Sequence, residues 1–354
     1  MVNGKGLQLS AAGVVALIYV FLIPLIFSDA LYFLRIMAIA SVLAVMSMGV
    51  WITFAIGRIN IGQAAFGLIG GYTTAILSTR WGVSFWLCLP LGGLVAAAIG
   101  TILGLGILRL RGVYFAMITL SLTEAVRLAF LNGGWFTGGA NGITRIPQPG
   151  QVSLLGVVLI PDFGTVNSHV AFYYLAAALL VVTFAVVWRI ANSRLGWIFR
   201  SLQQDEELAQ SIGINVAKYR VIAYAICCFF GGIGGAYFAA SQQSIYASFF
   251  GVPDSIFFIL YCFLGGLAYV GGPIVGAFVL FIGFQLLHEM QEYQQLIYAL
   301  IMIGIMLWLP NGLLSLRPPL RLPGQPKQAK PARDDTPVPA RCDRPVGRRS
   351  ATGA

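Results

Sequence analysis

Charge is scarce in this chain. Asp, Glu, Lys and Arg make up 10% of its 354 residues, against about 25% in soluble globular proteins. With hydrophobic residues at 58% and a mean hydropathy of +0.84, a soluble fold of this length would leave far too much apolar surface in water. Soluble, disordered and collagen-like classes are excluded together. Lysine occurs only at Lys5, Lys218, Lys327 and Lys330, and none follows the Gly-x-x-x-x-Gly turn that cradles a nucleotide phosphate, so the chain has no P-loop of its own. Histidine occurs only as His169 and His288, and His288-Glu289 lacks the second histidine of a zinc-protease helix. It reads as an interfacial hydrogen-bonding group. Of the five cysteines, Cys88, Cys227, Cys228 and Cys262 fall in apolar runs and Cys342 near the C-terminus, with no zinc spacing and an odd count that argues against a disulfide framework. No metal, cofactor or Ser/His/Asp catalytic grouping is legible.

What is present is long apolar segments. The composition indicates an all-α polytopic membrane helix bundle of roughly ten transmembrane segments, each near the length a bilayer needs. The first apolar run, Leu9 to Phe27, is longer than a signal-peptide core and reads as a retained helix. Further spans are expected near 31–56, 60–79, 83–107, 112–131, 170–190, 218–240, 249–268, 272–288 and 294–309. Gly-rich stretches such as 60–72 are candidates for broken helices rather than full spans. Glycines also recur at four-residue spacing, as Gly67/Gly71, Gly100/Gly104, Gly231/Gly235 and Gly272/Gly276. Such spacing strips one helix face of side chains and lets two backbones approach closely, although general membrane-helix composition accounts for part of it.

Basic residues set the orientation. With a cytoplasmic N-terminus, inner loops and the C-terminal segment collect 18 of the 22 Lys and Arg residues, leaving Arg35, Arg80, Arg127 and Arg145 outside. Both ends are therefore expected in the cytoplasm. Residues 1–316 read as the transmembrane domain. Residues 317–354 carry nine basic residues, three acidic ones and eight of the 16 prolines, and read as a disordered cytoplasmic tail whose charge suits anionic lipid headgroups. That placement gives no folded basic surface for nucleic acid.

Two long connections remain, an outer loop over 132–169 and a cytoplasmic loop over 191–217. Within a span, Glu124 and Arg127 are three residues apart and share a helix face. A structural ion pair is the simpler reading and a substrate contact the alternative. Arg35 and Asp254 are expected near helix ends, where snorkelling suffices. No acidic residues run down one helix as a proton or sodium relay requires. In the cytoplasmic loop, Ser201 to Gly213 reads SLQQDEELAQSIG. Leu202, Ala209 and Ile212 are spaced for one helix face, the acidic residues Asp205, Glu206 and Glu207 suit its first half, and Gly213 is placed to end it. Periodicity leaves two readings open, a helix seeking a partner's groove and an ordinary surface linker.

Glu207 to Gly213 resembles the Glu-Ala-Ala-x-x-x-Gly loop of ABC importer permeases, with Leu208 replacing the middle alanine. Preceded by Ser193-Arg194-Leu195-Gly196, it is similar to the branched-chain amino acid version. Further matches occur in the family's order: Gly62-Gln63-Ala64-Ala65-Phe66, Leu108 to Ala116, Thr137-Gly138-Gly139-Ala140-Asn141-Gly142-Ile143, Gly271 to Ala277 and Pro310-Asn311-Gly312-Leu313. The ordered set covers about residues 30–315 and most resembles the M-type subunit. Arg145, where a small residue is usual, and the C-terminal segment depart from the pattern.

The resemblance implies a permease subunit rather than an enzyme, in the bacterial inner membrane. It would serve an ATP-driven importer of branched-chain amino acids or related small polar solutes. The implied partners are a second homologous permease, two ABC ATPases and a periplasmic solute-binding protein. Glu207, Ala209 and Gly213 would belong to the helix that couples to an ATPase. Thr137, Gly138, Gly139, Asn141 and Gly142 form a candidate translocation motif. The competing classes are an ion-coupled carrier working without an ATPase and a membrane enzyme.

Overall fold

The computed structural model describes residues 31–110, 112–150, 152–154, 157–160 and 168–286, with 19, 296, 299–300, 303–304 and 312–316. The expected helix over Leu9 to Phe27, most of the span near 294–309, His288-Glu289 and the C-terminal segment from Arg317 lie outside these residues.

Lipid offers no hydrogen bonds, so each spanning segment must satisfy its backbone internally, and the apolar runs do so as helices. These are α1 (Leu31–Phe54), α2 (Gln63–Arg80), α3 (Phe85–Ile107), α4 (Val113–Leu131), a short α5 (Gly134–Thr137), α6 (Ser168–Ala191), α7 (Arg194–Gln204), α8 (Glu206–Ser211), α9 (Val216–Gln242), α10 (Val252–Gly265) and α11 (Gly272–Leu286). Within these, Tyr32–Phe54, Phe85–Ile107, Val113–Leu131, His169–Ala191 and Val216–Gln242 are long and apolar enough to cross a membrane, and α10 and α11 are shorter apolar helices. Two small antiparallel ribbons add to the helical plan. Strand β1 (Ile143–Thr144) pairs with β4 (Ser244–Ile245), and β2 (Val152–Leu154) pairs with β3 (Val157–Ile160).

Helix α1 is apolar all round and buried nearly all round, the signature of a core helix. Helices α6, α9 and α11 pack on it. Tyr19 lodges beside it, its hydroxyl 2.6 Å from Ser41 Oγ and its carbonyl accepting from the Tyr173 hydroxyl. Helix α4 is instead covered along one narrow face, that of Phe115, Thr119 and Thr123. The four buried cysteines Cys88, Cys227, Cys228 and Cys262 are free thiols.

The break expected within 60–72 lies earlier, over residues 55–62. Here the chain doubles back, and its polar groups are met by side chains, two from α4 and one from within the stretch itself. Ile61 N donates to Thr119 Oγ1 (3.0 Å), Ile61 O accepts from Thr123 Oγ1 (3.2 Å), and Gly62 N donates to Asn60 Oδ1 (2.9 Å). Helix α2 then starts beside Met46, whose carbonyl accepts from Gln63 Nε2 at 2.9 Å. Met46 lies about 12 Å short of the end of α1 at the helical rise, so α2 begins inside the bundle. Its first turn meets α10, where Ala64 N donates to Ser255 Oγ (3.1 Å).

Gly67 and Gly71 sit within the unbroken part of α2 and serve close approach. A Cβ on Gly67 would meet Met46 and one on Gly71 the side chain of Ile245. A Cβ on Gly235 would enter the backbone of Gly67, and one on Gly70 that of Gly232. The other spaced glycines also face neighbours, Gly100 against Cys228, Gly104 against Tyr224, and Gly276 against the Tyr261 carbonyl. Helices α2, α3 and α9 are thus joined backbone to backbone.

Candidate functional site

The segment after α6 folds outside the spans as two helices, α7 and α8, not the single one expected over 201–213. Asp205 divides them. Its backbone is extended, and its Oδ1 accepts from Glu207 N (2.8 Å) and Leu208 N (3.1 Å), capping α8 in the manner for which aspartate is favoured. Glu206 and Glu207 occupy the first turn, where negative charge suits the helix dipole. At the other end Gly213, at φ +86°, adopts the left-handed conformation. Gly213 N bonds Gln210 O and Ile214 N bonds Ala209 O, the paired closure of a Schellman cap. The sequence therefore sets both limits of α8 locally.

The break re-aims the apolar residues. Phe199, Leu202 and Ala209 turn inward and join the main core, whereas Leu208 and Ile212 stand 65% and 70% exposed. Leu202 and Ala209 do not share a face with Ile212 as a continuous helix would require. Ala209 is small because it is pressed on its own subunit. Glu207 is exposed, while its neighbour Glu206 turns inward. One Glu206 oxygen accepts from Arg58 Nη2 at 3.0 Å and the other pairs with Arg220 Nη2. Sequence reading missed Glu206, since its partners lie on distant segments. The only signal was that Arg58 and Arg220 both fall among the inner-side basic residues.

At the opposite end, Thr137 Oγ1 donates to Phe130 O (2.6 Å) and accepts from Gly139 N (3.3 Å). Gly138 and Gly142 take positive φ, and Gly142 packs on Ile245 and Tyr246. Ribbon β1–β4 continues this contact, and Arg80 donates to the carbonyls of Trp135 and Phe136. Asn141 is exposed. The Thr-Gly-Gly motif thus ties the loop after α4 to the connection after α9.

Glu124 and Arg127 form a two-point ion pair, 2.9 and 2.5 Å, on the flank of α4. Asp254 does not snorkel. Its Oδ2 accepts from Gly251 N at 2.8 Å and caps α10, beside a cavity of about 200 Å³ lined largely by phenylalanines, among them Phe238, Phe250 and Phe284. Among the described residues no group of three or more His, Cys, Asp or Glu side chains is placed to hold a metal ion.

A family model for the permease component of branched-chain amino acid transport systems matches residues 32–307. The high-affinity branched-chain amino acid transport system permease protein LivM of Salmonella typhimurium is 36% identical over 285 residues, covering 75% of this chain and 66% of that protein. The LivM protein of Escherichia coli is 35% identical with the same coverage. The matched region thus spans just under two thirds of these relatives. The ribose import permease protein RbsC of Escherichia coli is 23% identical over 291 residues, covering 76% of this chain and 79% of that protein. No solved structure matches the chain.

Proposed function

The chain belongs to the family of branched-chain amino acid transport permease components, and from that premise we propose that it is the membrane-spanning permease subunit of an ATP-driven importer. Its solutes are branched-chain amino acids or related small polar molecules. ATP is hydrolysed in separate subunits, because this chain carries no P-loop lysine. The carrying observation is α8. This short helix lies outside the spans, is seated on the body through Ala209, and turns Leu208 and Ile212 away from it. An apolar edge held rigidly in that way suits a groove on an ATPase. Glu207, on the outer side of α8, and Gly213, which closes the helix, belong to the same docking element.

The assembly proposed comprises two dissimilar permeases, two ABC ATPases below them and a periplasmic binding protein above, within the bacterial inner membrane. Both termini are cytoplasmic and residues 132–169 lie outside, as the 18-to-4 division of basic residues supports. The Thr137–Gly142 turn stands at the outer mouth of the path. Reporter fusions after Gln210 and after Asn141 are expected to report cytoplasmic and periplasmic positions respectively, and the reverse pattern overturns the orientation.

The function is tested by reconstituting the chain with its companion permease and ATPases in liposomes. Leucine uptake is expected to require ATP and binding protein, with valine and isoleucine competing and ribose not. Uptake by the chain without ATPases, driven by a proton or sodium gradient, overturns the reading in favour of an ion-coupled carrier.

A further inference from the structure

We propose that Glu206 is the positioning residue that converts displacement of the docked α8 into movement of the spanning helices, through a buried junction with Arg58 and Arg220. The inference rests on the reading of α8 as the ATPase-docking element. Glu206 stands two residues before exposed Leu208, yet its carboxylate points into the body and meets two arginines whose side chains are 3% and 10% exposed.

Each arginine leads to a different group of helices. Arg58 lies in the broken stretch between α1 and α2, shortly before Ile61, whose backbone is held by Thr119 and Thr123 of α4. Arg220 lies in the first turns of α9, and its Nη1 donates to the Leu108 carbonyl at the end of α3 (3.5 Å). One carboxylate therefore meets α9 at Arg220, reaches the end of α3 through that arginine's bond to Leu108, and at Arg58 holds the stretch that joins α1 to α2 and rests, at Ile61, on the buried face of α4.

Stability alone is a poor reason for this arrangement, since well-packed apolar residues serve as well or better than a buried ion pair. Direction is a better one. Apolar contacts such as that of Ala209 resist compression but let surfaces slide, whereas two ion pairs to guanidinium groups, the one with Arg58 carrying a charge-assisted hydrogen bond, fix orientation and carry tension. A helix of six residues that must both push and pull needs such a fastening. The junction is also separate from the outward surface, so docking and transmission can be lost independently.

The test uses the whole importer in nanodiscs, with three readouts: ATPase subunits bound per permease, basal hydrolysis, and the ratio of solute-stimulated to basal hydrolysis. Glu206→Gln keeps the shape and removes the charge. It is expected to leave ATPase stoichiometry and basal hydrolysis near wild type and to lower the stimulation ratio roughly tenfold, within the usual span of coupling between sites. Adding Arg58→Gln to it should cost little more, because the residues act as one unit. An unchanged ratio at normal stoichiometry, or a loss of uptake merely proportional to lost complex, overturns the proposal. If Glu206→Gln does not assemble, Arg220→Lys is read in the same way, since it keeps the charge but loses the fork. There a lowered ratio supports the junction and an unchanged ratio overturns it. Leu208→Glu with Ile212→Glu separates the two ideas. Undiminished ATPase binding in that variant overturns the docking reading itself, whatever Glu206→Gln does.

Discussion

Leu208→Glu combined with Ile212→Glu is expected to strip the ATPases from the complex while leaving the permease folded. Both side chains are about two-thirds exposed, so the subunit has little packing to lose, and surface changes of this kind usually stay within about 0.5 kcal/mol. In the docked state the balance differs. Burying a leucine or isoleucine contributes roughly 1.5–3 kcal/mol, so losing two removes about 3–6 kcal/mol. That is two to four decades of affinity at about 1.4 kcal/mol each, before the penalty of placing two carboxylates against an apolar groove. Co-purification of the ATPases with the tagged permease, alongside its melting temperature in detergent, is the measurement. Normal co-purification would remove α8 as the docking element.

Ala209→Trp provides the contrast. The sequence alone suggests that a bulky residue here blocks the partner. Burial of Ala209 in its own core predicts instead that tryptophan expels α8 from its seat. Overpacking of that kind costs about 1–3 kcal/mol locally. Limited proteolysis should then cut within 191–217 even in the permease alone, which the double glutamate variant should resist.

These two variants mark where sequence reading stops. Existence of the spans was legible because a run of apolar residues has only one economical backbone in lipid, and α3, α4, α6 and α9 begin and end within a few residues of the expected limits. Helix α2 also begins within three residues of its expected limit, but the broken stretch before it was not legible, because it is stabilised by Thr119 and Thr123 from elsewhere in the chain. The helix proposed for docking was legible as a helix outside the spans from its acidic first turn and terminal glycine, both local signals. Its outward face was misjudged because one capping aspartate interrupts the helix and rotates the turns beyond it. Glu206 was invisible for a third reason. Nothing near it in sequence distinguishes it from Glu207, and only the tertiary approach of Arg58 and Arg220 separates a half-buried, paired carboxylate from an exposed neighbour. The loop after α4 shows the same division. Its Thr-Gly-Gly motif is local, whereas its pairing with Ser244–Ile245 depends on the bundle.

Gly232→Leu is expected to abolish the folded permease. In lipid there is no hydrophobic force to hold helices together, so their association depends on packing and interhelical hydrogen bonds. The four-residue glycine spacing in α9 was legible, but its partners were not. A Cβ on Gly232 would lie 2.6 Å from Ala96 Cβ, 2.7 Å from Gly92 O and 2.9 Å from Gly93 Cα. Two of those three atoms are backbone and cannot rotate away, so α3 must retreat from α9 along its length. Gly70 of α2 also approaches so closely that its own Cβ would strike the Gly232 backbone, leaving α9 little room to move. Ordinary overpacking costs about 1–3 kcal/mol because side chains yield. Here a leucine strikes the α3 backbone at Gly92 and Gly93, placing the effect among the rare substitutions worth more than about 4 kcal/mol, a large fraction of the roughly 5–15 kcal/mol typical of folded proteins. Gly106→Ala in α3 is the control, because nothing lies within 4 Å of a Cβ there. It should change the melting temperature little. Size-exclusion profiles and thermal melts of the two variants in the same detergent decide the matter. A monodisperse Gly232→Leu protein melting with the wild type would show that α9 is not locked to α2 and α3 by backbone contact. It would also remove the rigid rod on which the Arg220 arm of the junction depends.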